Sequence, residues 1–174
     1  MAKIIYKEGM EGQNKLSCIE GIEIDLLNGQ RALIFPKYSE EYLMQSDQID
    51  KWNARALSEI EALKVEDTVS ETVALFNLGS PAANWVLLFV TNDRRQFSLP
   101  SLLAAMEIQH QKEEIDALAE TIEGADLLRD FTSGVWSCSR GGTGFGWVAG
   151  GSNGFAYGYN LYFDVLAVPT ILYR

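Results

Sequence analysis

The stretch 135-VWSCSRGGTGFGWVAGGSNGFAYGYNLYFDVLAVPTILYR-174 decides the fold. Aromatic and apolar residues recur in short runs, and glycines separate the runs. Between Thr132 and Arg174 lie nine of the chain's fifteen glycines and nine of its nineteen aromatic residues, against three charges, Arg140, Asp164 and Arg174. Such runs read as strands, joined by turns whose backbone needs glycine. The spacing predicts four strands over residues 135–139, 145–149, 155–159 and 162–168, with 140–144 and 150–154 as connectors. Period-two geometry then puts Phe155, Tyr157 and Tyr159 on one face of the third strand. By the same rule Trp136 shares a face with Cys138, and Phe145 with Trp147 and Ala149.

Working outward, Ile4, Ile5 and Tyr6 predict a short first strand that Gly9 and Gly12 stop. Ile22, Ile24 and Leu26 alternate with polar neighbours. Asn28-Gly29 predicts a tight hairpin with positive φ angles, and residues 32–35 form its return strand. Pro36 ends that strand or places it at an edge. A helix is predicted over 46–64, capped by Ser46, with Ile49, Trp52, Ala56, Ile60 and Leu63 along its apolar stripe. Residues 69–78 fit either period, 77–84 read as a loop, and 85-WVLLFVTND-93 reads as a buried strand. A second helix is expected from Ser101 to about Glu123, entered through Pro100. Its polar centre, residues 109–114, either faces solvent or marks a break. No repeat or low-complexity linker divides the 174 residues, a length that suits one domain, 1–174, with a proper core.

The formal charge of −10 argues against nucleic acid as a partner, because phosphate binding needs a basic patch. No window approaches the ~20 apolar residues of a membrane span, and the N-terminal MAKIIYKEGMEGQNK lacks the apolar core of a signal peptide. The expected location is therefore the cytoplasm or a phage particle. Cys18 and Cys138 read as buried thiols acting as small hydrophobes. With His110 the sole histidine, no Cys/His metal site is expected, and no cofactor. Glu113, Glu114, Asp116, Glu120, Glu123, Asp126 and Asp130 follow helix and loop spacing and read as a solvated acidic face. Ser137 and Ser139 lie on a strand without a nucleophile elbow. The run 141-GGTGFG-146 lacks the lysine and following helix of a phosphate loop. Thr91-Asn92-Asp93 reads as a strand-ending turn rather than a calcium site. These readings point away from an enzyme.

Leu99-Pro100-Ser101 at a helix start resembles the "RLPT" helix start of a bacterial and phage domain family of uncharacterised function with a C-type-lectin-like fold. The strand 135-VWSCS-139 resembles that family's "YWSST" strand. The segment 147-WVAGGSNGFAYGYNLYFDVLAV-168 is similar to its "WYVNFSNGSVNYNNKNNSYYVRPV" ending, including the turn Ser152-Asn153-Gly154. The resemblance covers about residues 96–174 and a weaker N-terminal hairpin. It implies an α+β fold in which two helices flank a twisted antiparallel sheet and the N- and C-terminal strands are adjacent.

The remaining candidate for function is a surface. Tyr157, Tyr159, Tyr162, Asn153 and Asn160 form a set suited to recognition, because rigid amphipathic rings bury area at low entropic cost while amides adapt their hydrogen bonds. A glycan or a protein surface is the expected ligand. Trp136, Trp147 and Phe155 are expected to be core. The alternative is a structural subunit of a homo-oligomer with no small ligand.

Overall fold

The computed structural model describes residues 1–44, 57–141, 144–150, 154–161 and 163–174. It is a mixed α+β architecture. Among the described residues there are two sheets and five α-helices, where one sheet and two helices were expected. The first sheet is antiparallel and ordered β1-β2-β3-β9, from β1 (Lys3–Tyr6), β2 (Ile19–Asp25), β3 (Arg31–Ile34) and β9 (Thr170–Tyr173). The second is ordered β4-β8-β5-β6-β7, from β4 (Ser39–Glu41), β8 (Val165–Ala167), β5 (Val135–Arg140), β6 (Phe145–Gly150) and β7 (Phe155–Asn160). Its pairs are antiparallel except β5 with β8, which meet in parallel at Val135 and Leu166.

The expected adjacency of the terminal strands needs correction. β1 and β9 share a sheet but stand at its two edges, separated by β2 and β3. The chain leaves the second sheet after β8, turns at Pro169 and enters the first as β9. The last expected strand, 162–168, stopped before Pro169, and the further strand beyond that proline was not expected.

The hairpin between β2 and β3 forms where expected with a different turn. Only Gly29 takes a positive φ, 81°. The Gly29 amide donates to Leu26 O, the Leu26 amide to Gln30 O, and the Asn28 side chain accepts from the Gln30 amide. This is a three-residue loop with its glycine in the left-handed position rather than a two-residue turn.

The middle of the chain is helical. α1 (Glu59–Leu63) starts at Ser58, whose hydroxyl and the Glu61 carboxylate form a reciprocal cap. The expected helix start at Ser46 lies outside the described residues, and Ile60, assigned to the apolar stripe, is exposed. α2 (Thr68–Asn77) resolves the two-way reading of 69–78. Within the loop and strand expected over 77–93, residues Pro81–Val86 form α3, capped by the Ser80 hydroxyl on the Ala83 amide with Pro81 in the first turn, and of the expected strand only Val90 makes a β-bridge, to Gln96. The polar centre of the long predicted helix is a break. α4 (Leu102–His110) ends at Gln111, and α5 (Lys112–Ala119) begins after it.

The larger core joins both sheets. Ile19, Ile22, Ile24 and Ile34 of the first meet Val135, Ala149 and Leu166 of the second over Ala104, Ala105 and Ile108 of α4 and Ile115 of α5. A second core packs Trp136, Cys138 and Val148 against Leu75 of α2, Ala82, Ala83 and Val86 of α3, and Leu43. Each large aliphatic side chain removed from water in this way contributes about 2 kcal/mol. Both cysteines are buried thiols, with Cys18 beside Gln13 and Ser17.

The acidic face expected over 113–130 is corrected in part. Asp116 is buried, and its carboxylate accepts the backbone amides of Leu128 and Arg129 at 2.6 and 2.9 Å. Asp126 accepts from Lys37 Nζ at 2.9 Å and from the Tyr38 amide at 3.0 Å. These two carboxylates anchor the chain between α5 and β5 instead of facing water. On the first sheet Glu23 is buried as well. Burial alone would raise its carboxyl pKa, but hydrogen bonds from Lys3 and Tyr173 and the charges of Lys3 and Arg31 outweigh that and hold it below the ordinary range.

Candidate functional site

β7 begins after Gly154 and runs antiparallel to β6 in unbroken register, from Phe155 opposite Gly150 to Asn160 opposite Phe145. Residues opposite each other share a face, so Phe155, Tyr157 and Tyr159 stand over Gly150, Val148 and Gly146. The side chains on β6 are small there, and the rings lie down onto the strand. A Cβ on Gly150 would sit 2.7 Å from the Tyr157 hydroxyl, and one on Gly146 would sit 2.9 Å from Trp136 Cζ3. Glycine at both positions is therefore part of how the aromatic rows are laid.

The row is graded from core to water. Trp136 is fully buried, as expected, and its indole donates to Glu41 O at 2.7 Å. Tyr159 is half-buried, 6.5 Å from Trp136 and 5.4 Å from Phe163 between ring centroids. Tyr157 meets Tyr159 edge-on at 5.7 Å and is 37 % exposed. Burial of part of its ring, and to a lesser degree Tyr159, raises the Tyr157 hydroxyl pKa. Phe155 is 64 % exposed and Phe163 is 54 % exposed. The expectation that Phe155 belongs to the core is wrong, because no strand lies beyond β7 among the described residues to cover it. Trp147 is half-buried and donates from Nε1 to Leu57 O at 3.0 Å. Phe145, on the opposite face, is exposed too.

Of the five residues chosen from sequence, Tyr157 and Tyr159 fall together on this row, and Asn160 closes the same strand. Asn153 and Tyr162 lie outside the described residues. Sequence reasoning missed Phe155 and Phe163 as exposed members. The period-two pattern already aligned Phe155 with Tyr157, so the missing information was that β7 is an edge.

The turn into β7 touches a second feature. Gly154 has φ 63°, and a Cβ there would strike the His110 ring at 2.5 Å. His110 ends α4 with its Nδ1 3.8 Å from Glu107 Oε1. It also lines a cleft of about 570 Å³ with Gln109, Lys112, Glu113, Phe131 and Thr132. Catalytic arrangements do not emerge from these groups. Ser137 and Ser139 are fully buried on β5, away from this opening, and the Ser137 hydroxyl accepts the Ser139 amide. Asp93 is held by the Thr91 hydroxyl and by Arg95, and the Asn92 amide donates to Glu20, which makes 91–95 a braced turn. Among the described residues no group of three or more His, Cys, Asp or Glu is arranged to hold a metal ion, and no helix is long and apolar enough to cross a membrane.

No protein-family model matches the chain, and no curated protein or solved structure matches it.

Proposed function

We propose that the chain is a non-enzymatic recognition module of C-type-lectin-like fold, bacterial or phage-encoded, that binds a glycan or a protein through the aromatic face of β7. The observation that carries this reading is the exposure of Phe155 and Tyr157 on an uncharged strand of an otherwise acidic protein, with the exposed Phe163 packed on Tyr159 just beyond the strand's end. Exposed contiguous aromatic surface is costly in water unless a partner covers it. Sugars and protein hot spots both use such rings. The cleft beside His110 supplies amide, imidazole and hydroxyl groups at the turn that leads into the same strand.

The test is binding of labelled protein to a glycan array and to intact bacterial cells. Because Tyr159 also packs on Trp136, the informative variant is Phe155→Ala with Tyr157→Ala, which removes exposed rings and leaves the core in place. The reading expects a specific signal that falls at least about tenfold in the double variant, the loss of roughly two interface aromatics. An undiminished signal would place the site elsewhere.

A further inference from the structure

Each sheet has two edges, and three of the four carry a device against pairing with another chain. β1 is short, begins with Lys3 and breaks register between Ile5 and Tyr6. β9 is met by Ser98, which exchanges two backbone hydrogen bonds with Thr170, and Arg95 lies 5.8 Å over the Tyr173 ring. β4 has three residues, two of them glutamates. Short length, charge, bulges and covering segments are how proteins blunt sheet edges. Among the described residues β7 has none of these. It is six residues long, keeps an unbroken register and contains no proline or charged residue. Its outer row of backbone N–H and C=O groups is unpaired among the described strands.

We propose that β7 pairs with β7 of a second copy of this chain, antiparallel about a two-fold axis, so that the five-stranded sheets of the two copies run on as one. Charge selects the occupant. Two molecules of charge −10 repel wherever carboxylates face each other, and residues 141–163 contain no Asp, Glu, Lys or Arg. A second exposed apolar row, Val69, Val73 and Phe76 on α2, stands among Glu66, Asp67 and Glu71 and meets its own copy at that cost. A two-fold antiparallel pairing presents the same strand on both sides, so β7 is its own complement. In a register centred on Tyr157, Phe155 lies opposite Tyr159 of the second copy, and aromatic cross-strand pairs of this kind stabilise sheets. The inference rests on the recognition reading only in sharing its face. Pairing uses the strand edge, leaves the rings of both copies on one continuous surface, and makes that surface bivalent.

Light scattering on the full chain tests it, using Gly158 as the probe position. Gly158 is exposed in the middle of β7, and a Cβ there meets only Phe145 at 3.7 and 4.0 Å, so larger residues fit the monomer. The wild type and Gly158→Ala should show twice the 19.4 kDa of one chain at micromolar concentration. Gly158→Lys sets one charge from each copy next to the two-fold axis and should weaken association by at least about tenfold with unchanged circular dichroism. A monomeric wild type overturns the inference, and so does a Gly158→Lys protein that stays dimeric. The two readings fail separately. A monomeric wild type that still binds its array hit overturns pairing alone, whereas a dimer silent on every glycan and cell overturns recognition alone.

Discussion

Gly146 shows most sharply how one residue sets the arrangement of this protein. It lies on β6 beneath Tyr159, and a side chain there would approach Leu43 Cδ2 at 2.6 Å and Trp136 Cζ3 at 2.9 Å, both in a fully buried layer. Gly146→Ala should therefore destabilise the fold by about 1–3 kcal/mol, the usual cost of overfilling a packed core. Urea denaturation would read this as a lowered midpoint with an unchanged slope, and Gly158→Ala, one strand away where a Cβ meets only Phe145 at ordinary contact distance, should leave the midpoint in place. At this scale the sequence was legible where chemistry and period agreed. Trp136 is core because it alternates with residues that must also be covered, and Tyr157 aligned with Tyr159 from spacing alone. Asp116 was not legible. Its partners are backbone amides 12 and 13 positions away, which leave no trace in composition or periodicity. Phe155 was misread for a related reason, since an edge strand and a central strand have the same alternation.

At the scale of elements, the Leu99-Pro100-Ser101 start of α4 is held by α2. The Thr72 hydroxyl accepts the buried Leu99 amide at 3.0 Å and itself donates to Thr68 O, while the Ser98 hydroxyl donates to Thr68 Oγ1 at 2.8 Å. Thr72→Val keeps the volume and leaves the Leu99 amide without its acceptor, so it should cost about 1–3 kcal/mol. Thermal unfolding would show the loss, and faster amide exchange at Leu99 would separate it from a simple packing defect. The helices themselves divide into readable and misread. Ser80-Pro81 is a helix start in plain sight, a capping hydroxyl followed by a residue suited to the first turn. The apolar run from Trp85 drew the reading toward a strand, because a short apolar run has no period to distinguish the two. The break between α4 and α5 is one of the two readings that the polar centre allows. The structural cause is Gln111, whose side-chain amide reaches back to Glu107 and across to Asp25 O.

For the whole molecule, the α+β class and most strand positions followed from glycine spacing and alternation. The division into two sheets did not, because it depends on Pro169 and on which strands pair across more than 130 residues, as β3 with β9 does. The resulting arrangement buries Tyr38, Phe97 and Trp136 and leaves one uncharged aromatic strand at a sheet edge that no other described strand covers. The proposed recognition puts the contact on this strand. The most direct measurement is amide hydrogen exchange on the full chain, alone and bound to the glycan or cell-envelope fraction that an array screen retains. New protection should concentrate in peptides covering Phe145–Gly150 and Phe155–Asn160. Protection confined to α2 and the Phe76 surface, with β7 unchanged, would contradict it.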